Sequence, residues 1–123
     1  MQSDNVKFKN EFKKRVYAWV LKLITFIDAL PKDSVCSVMG KQLLRSGTSV
    51  LANYIEANSA SSKKDFISFF THSLKSANES KVWLALLRDT GKRSKEEVAP
   101  LLDELTEIAN ILASSILTMK GKK

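Results

Sequence analysis

Residues 42–87, QLLRSGTSVLANYIEANSASSKKDFISFFTHSLKSANESKVWLALL, decide the fold of this chain. Apolar residues recur there at spacings of three and four on both sides of a short polar break, residues 58–62. This spacing matches the period of an α-helix and predicts two helices that meet at the break. Ser61 or Ser62 can cap the second helix, because a serine hydroxyl accepts a hydrogen bond from a free N–H group at a helix start. We therefore expect a helical hairpin at the centre of the chain.

Two more helical patterns flank this hairpin. The first ends at Pro31, because proline lacks the N–H group that a helix interior uses. Asp33 or Ser34 can cap the helix that follows. Ser94 and Glu97 form a capping-box pattern ahead of the last helix.

Pro100 lies inside this last pattern and leaves two alternatives open: a short break, or a helix that begins nearer Val98. The four predicted helices span about residues 5–30, 35–58, 63–90 and 95–119. Short connections between long helices make neighbouring helices antiparallel. The sequence therefore predicts an all-α fold, an antiparallel up-down-up-down four-helix bundle, as a single domain over residues 1–123.

The first two helices carry features that a minimal bundle does not need. Tyr17, Leu21 and Ile24 extend the apolar surface of the first helix onto a second face, so we expect a further neighbour there, such as another subunit. Gly40 and Gly47 each cost about 1 kcal/mol relative to alanine inside a helix. That cost suggests a close approach by the backbone of a neighbouring helix, more strongly at Gly47 than at Gly40.

The residue inventory speaks against an enzyme. His72 is the only histidine, Cys36 is the only cysteine, and the two lie on different predicted helices. Neither can form a zinc site alone, and no Glu-x-x-His pair, phosphate-binding loop or dinucleotide-binding motif is present. We therefore predict no catalytic residues, no metal site and no cofactor.

The same inventory indicates a compartment. A single cysteine excludes an internal disulfide and fits a reducing environment. No apolar run approaches the roughly 18 residues of a membrane span, and the first residues lack the apolar segment of a secretory signal. We expect a cytoplasmic protein without a membrane partner.

The chain is basic, with 20 Lys and Arg against 13 Asp and Glu and a net charge of +7. Such an excess favours an anionic partner, nucleic acid first, although a protein can be basic without one. In an up-down bundle one end gathers the start of helix one, the turn between helices two and three, and the C-terminus. The candidate nucleic-acid-binding residues there are Lys7, Lys9, Lys13, Lys14, Arg15, Lys63, Lys64 and Lys120.

Lys122 and Lys123 belong to the same predicted end, and its acids are Asp4, Glu11, Glu56 and Asp65. The balance is about +6, whereas the opposite end is nearly neutral. The sequence contains no recognised DNA-binding or RNA-binding motif. We therefore predict salt-sensitive binding of nucleic acid, with RNA favoured and low sequence specificity.

Polar residues also follow one side of the second helix. Arg45, Ser49 and Glu56 share a stripe, and Asn53 lies next to it. One interpretation is a structural polar network, with Asn78 and Glu79 of the third helix as partners, that fixes helix register or a subunit contact. The other is an anion-binding site centred on Arg45. We favour the network.

The central hairpin also carries a specific residue pattern: Arg45-Ser46-x-x-Ser49-Val50-x-x-Asn53-x-x-Glu56, then Asp65-Phe66, then Ala77-Asn78-Glu79, Trp83-Leu84 and Leu86-Leu87. This pattern resembles the four-helix bundle protein family, whose members are often called 23S rRNA intervening-sequence proteins. The resemblance covers most of the chain. One departure follows Glu56, where members often carry glycine and this chain has Ala57 and Asn58.

The resemblance implies a bacterial bundle that assembles as a homopentamer and has no established catalytic residues. It also implies similarity to the accessory proteins of diversity-generating retroelements, which are basic pentamers that bind nucleic acid and a reverse transcriptase. Our leading hypothesis is a non-enzymatic, oligomeric, basic bundle that binds RNA. The alternative is a protein-interaction scaffold, such as an accessory subunit of a reverse transcriptase, and a third hypothesis is a purely structural oligomer.

Overall fold

A computed structural model of the protein describes residues 4–121 and contains four α-helices in them: α1 (Asp4–Asp28), α2 (Ser34–Asn58), α3 (Lys63–Asp89) and α4 (Lys95–Met119). Each helix packs against the next along the chain, and α4 returns to pack against α1. Within the described residues, the diagonal pairs α1–α3 and α2–α4 make no close backbone contact. The predicted fold class, an all-α antiparallel four-helix bundle, is confirmed.

Local sequence signals place the helix ends within two residues of the predicted ranges. Asp33 caps α2, since its Oδ1 accepts from the Cys36 amide at 2.8 Å. Ser62 caps α3 by accepting from the Asp65 amide at 3.1 Å. After Glu56 the chain stays helical to Asn58, without a left-handed turn.

α4 begins at Lys95 and passes through Pro100 without a break, so a start nearer Val98 is wrong. The capping box explains this early start. The Glu97 amide donates to the Ser94 hydroxyl at 3.1 Å, and the Ser94 amide donates to the Glu97 carboxylate at 3.2 Å. The helix continues through Pro100 although proline removes one backbone hydrogen bond and its ring crowds the preceding turn.

The α2–α3 contact is the most extensive in the bundle. Small side chains line it, and Ser46, Ser73, Ala77 and Ser80 are completely buried there. The Ser46 and Ser80 hydroxyls lie 2.7 Å apart, and the Ser73 hydroxyl donates to the Val50 carbonyl at 2.7 Å. Small residues let two backbones approach closely, and these hydrogen bonds satisfy the hydroxyls that burial removes from water.

At Gly47, side chains of α1 come close to the backbone of α2. A Cβ atom on Gly47 would lie 2.2 Å from Cδ2 of Leu23, which is fully buried. A Cβ atom on Gly40 would lie 3.4 Å from Cδ1 of Leu30, an ordinary contact. Side chains of α1, and not its backbone, therefore lie against Gly47, whereas Gly40 leaves room for a methyl group.

Candidate nucleic-acid interface

One end of the bundle joins the start of α1, the α2–α3 turn and the end of α4, and we call it the basic end. The Tyr54 hydroxyl of α2 donates to the Lys9 carbonyl of α1 at 3.2 Å. The Lys9 ammonium lies 5.9 Å from the ring centre of Phe66 of α3. These contacts hold α1 against the α2–α3 hairpin, so lysines far apart in the sequence share one surface.

The lysines of the basic end are exposed and uncompensated. None of them forms an ion pair with a residue that the structure describes. They number seven: Lys7, Lys9, Lys13, Lys14, Lys63, Lys64 and Lys120. The carboxylates of this end whose side chains the structure describes are Glu11, Glu56 and Asp65, whereas the side chain of Asp4 and the residues Lys122 and Lys123 lie outside the described part of the chain. The basic end therefore carries an excess of free ammonium groups.

Three of the six basic residues at the opposite end form ion pairs with carboxylates. Lys92 contacts Asp33 at 3.2 Å across the bundle end, and Arg88 contacts Asp89 at 2.8 Å. Arg93 pairs with Glu97. The two ends therefore differ in two ways: basic residues outnumber acids at the basic end, and ion pairs neutralise three basic residues at the opposite end.

Arg15 differs from the lysines predicted with it. Its Nε lies 2.7 Å from a Glu104 oxygen, its Nη2 lies 2.8 Å from the other, and Glu107 approaches to 3.2 Å. The hydrogen bonds to Glu104 raise the pKa of Arg15, and those from Arg15 lower the pKa of Glu104. Arg15 thus bridges α1 and α4 with its charge balanced, and its role in nucleic-acid binding stays a prediction.

The structure brings Arg45 and Glu79 together across the α2–α3 contact, where they form an ion pair. Arg45 Nη2 also donates to the Gln42 side chain at 3.0 Å. Glu79 accepts a second bond, from the indole N–H of Trp83 at 3.0 Å. Because Glu79 balances the guanidinium, this geometry favours the polar-network interpretation over an anion site.

None of the other predicted network residues forms a hydrogen bond with the charged groups of Arg45 or Glu79. The Ser49 hydroxyl donates to the Arg45 carbonyl at 2.8 Å, and the Asn53 amide donates to the Ser49 carbonyl at 2.9 Å. Both bonds lie within α2. Glu56 and Asn78 are exposed, and their side chains bond to no residue that the structure describes. The observed network is therefore smaller than the predicted one.

A row of aromatic rings crosses the basic end, and the sequence did not reveal it. Phe8 stacks on Phe12 with ring centres 5.9 Å apart, and Phe66 stacks on Phe70 at 4.8 Å. Tyr54 joins the two pairs, at 4.9 Å from Phe12 and 5.6 Å from Phe70. The inner rings are buried, whereas Phe8 is 48% exposed and Phe66 is half-buried. The available signal was that both outer rings lie within the first five residues of their helices.

The rest of the described chain offers little chemistry. No three potential metal ligands come together in residues 4–121. Cys36 is buried, which raises the pKa of its thiol, and His72 is exposed. None of the four helices is long and apolar enough to span a bilayer.

Comparison with known proteins gives a consistent picture. Residues 9–114 match the model of the family described as 23S rRNA-intervening sequence protein. A crystal structure from Bacteroides thetaiotaomicron, described as a protein with unknown function from the S23 ribosomal protein family, is similar with a TM-score of 0.80. The two chains are 36% identical, and the similarity covers 85% of this chain and 97% of that one. No curated protein matches this chain significantly.

Proposed function

The chain belongs to the 23S rRNA-intervening sequence protein family, and we propose that it is a non-enzymatic, oligomeric bundle that binds RNA with little sequence preference. The observation that carries this proposal is the set of seven exposed lysines at the basic end that have no ion pair with a described residue. We propose the cytoplasm as its location.

Free ammonium groups on one surface suit a phosphate backbone. Each lysine that neutralises a phosphate releases a condensed counterion, which favours binding at low salt. If all seven lysines contacted phosphates of a single strand, affinity would fall about 10³-fold between 50 and 200 mM salt.

The type of cation supports low sequence specificity. Lysine presents a compact point charge, whereas the bidentate contacts that read base edges come mostly from arginine, asparagine and glutamine. Arg15, the arginine predicted for this surface, is held by Glu104. We therefore expect contacts that position the strand on the protein without reading its sequence.

The test is a salt series of RNA-binding isotherms with a charge-reversal variant. In the double variant Lys13→Glu/Lys14→Glu both changes fall on exposed side chains without ion pairs to described residues. We expect weaker binding at every salt concentration and a log–log salt slope shallower by about 1.4 for single-stranded RNA.

The matched control is the double variant Lys41→Glu/Lys95→Glu. It changes the net charge equally, at exposed positions away from the basic end. We expect it to retain most of the affinity. Equal losses of affinity in both variants would show that only the overall charge of the protein matters. If wild type does not bind RNA at low salt, the purely structural oligomer becomes the better hypothesis.

A protein-interaction scaffold remains the second candidate, and one surface favours it. Val35, Val38, Val82 and Leu86 are exposed on α2 and α3, and Val35 and Val38 line a shallow apolar groove with Trp83. Exposed apolar clusters are typical of protein contacts. We propose a reverse transcriptase as the partner. It should co-purify with wild type and be lost with the Val38→Glu variant.

A further inference from the structure

A groove at the basic end combines aromatic rings, hydrogen-bonding groups and cations, and we call it the terminal groove. It has a volume of about 480 Å³ and is lined by Phe8 and Phe66 together with Asn58, Ser115 and Thr118. Sites for small organic ligands commonly measure roughly 300–1,000 Å³. The terminal groove is therefore large enough for a nucleobase and its sugar.

The two outer aromatic rings of the groove, Phe8 and Phe66, are held from behind. Phe12 and Phe70 are buried, with exposures of 4% each, and they stack against Phe8 and Phe66 respectively. Because the inner rings are fixed by the core, the outer rings lose little further freedom when a ligand stacks on them. Any nucleobase can stack on an aromatic side chain, whatever its identity.

The charges around the groove select an anionic ligand. The Lys9 ammonium lies 5.9 Å from the Phe66 ring centre. Lys63 and Lys64 open α3, where the helix dipole adds partial positive charge. A neutral aromatic ligand would use the rings alone, whereas a nucleotide within a strand would use the rings and these cations together.

We propose that the terminal groove takes an unpaired base of a nucleic-acid strand, stacked against Phe8 and bordered by Phe66, with neighbouring phosphates on the lysines. This inference rests on the proposed function and deepens it, because a base inside a duplex has both faces covered and cannot enter the groove. Asn58 also lines the groove, and a side-chain amide has donors and an acceptor that could meet the edge of a base. The protein accordingly prefers unpaired strands and loops over fully paired helices.

The experiment measures the affinity of a labelled single strand of about 12 nucleotides, and of the same strand in a duplex, by fluorescence anisotropy. The variants are Phe8→Ala, Phe8→Leu, which retains apolar bulk without a ring, and Phe8→Tyr, which retains the ring. Because Phe8 is 48% exposed, these changes leave the core intact, which thermal unfolding verifies. RNA and DNA versions of the strand establish which sugar is preferred.

We expect Phe8→Ala and Phe8→Leu to weaken binding of the preferred single strand about 5- to 150-fold, without changing the salt slope or duplex binding. Phe8→Tyr retains the wild-type affinity. If all three variants bind the single strand as wild type does, or if wild type binds duplex equally well, the stacking site is overturned while the proposed function stands. If wild type binds neither form at low salt, the proposed function fails and this inference fails with it.

Discussion

Gly47 is the position where the packing of α1 against α2 leaves the least room. A Cβ atom there would lie 2.2 Å from a methyl group of the fully buried Leu23. We expect Gly47→Ala to lower the free energy of unfolding by up to about 2 kcal/mol, because overpacking of about 1–3 kcal/mol outweighs a gain in helix propensity of about 1 kcal/mol. Urea unfolding measures the difference.

Gly40→Ala is the matched control on the same helix. Its new methyl group would meet Leu30 at 3.4 Å, so the gain in helix propensity dominates, and we expect stabilisation of up to about 1 kcal/mol. Equal shifts for Gly40→Ala and Gly47→Ala would show that close packing is not what requires glycine at position 47.

Arg45 distinguishes a structural pair from an anion site. Its guanidinium faces Glu79, both side chains are more than a third exposed, and exposed ion pairs contribute about 0.2–1 kcal/mol. We expect Arg45→Ala to lower the free energy of unfolding within that range and to leave RNA affinity within about twofold. A double-mutant cycle with Glu79→Gln measures the coupling, and a large loss of RNA affinity with unchanged stability would support the anion site instead.

At the scale of single elements, signals from residues close in the sequence were sufficient to predict where the helices begin and end. Ser94 and Glu97 are three residues apart, and both halves of their capping box form as the sequence predicts. Contacts between elements could not be predicted in the same way. Arg15 is held by Glu104 only because of the register between α1 and α4, and Phe8 lines a groove only because of how four helix ends are staggered. The sequence contains no short-range pattern that determines either register or stagger.

The start of α4 should be sensitive to acid. Glu97 accepts hydrogen bonds from Arg93 and from the Ser94 backbone and hydroxyl, which lower its pKa from 4.5 to about 2. A carboxylate whose pKa is lower in the folded state stabilises the fold fully above the unfolded pKa. That contribution is lost as pH falls from about 4.5 through about 2.

The variant Glu97→Gln isolates this contribution, because glutamine can complete a capping box and does not titrate. We expect wild type to be the more stable protein at pH 6 and the difference to shrink steadily towards pH 2. Asp33, Asp89 and Glu104 also have lowered pKa values, and they affect both proteins alike. Parallel stability curves for the two proteins, measured by urea unfolding, would contradict the assignment.

At the scale of the whole molecule, the exposed apolar face of α1 lies apart from the bundle core. Tyr17, Leu21 and Ile24 follow the helical spacing i, i+4, i+7 and are exposed. We propose this face as a contact between subunits of a homo-oligomer, with a pentamer as the assembly to test. If the bundle axes run along the symmetry axis of a closed ring, every copy presents its basic end on the same side.

Leu21→Glu tests the assembly and its consequence for binding in a single variant. Leu21 is 51% exposed, so a glutamate there leaves the core intact while placing a charge in the proposed contact. We expect light scattering after size exclusion to show smaller species, whereas Val82→Glu, which changes the other exposed apolar surface, on α2 and α3, keeps the wild-type mass. Because several basic ends on one assembly raise the effective concentration of binding sites, loss of assembly should also weaken binding of a long RNA by about 10²-fold or more. The affinity for a strand that spans one basic end should fall much less, since Leu21 lies two helical turns beyond Lys14 and none of the lysines is altered. A monomeric wild-type protein, or an unchanged mass for Leu21→Glu, would exclude this face as the subunit contact.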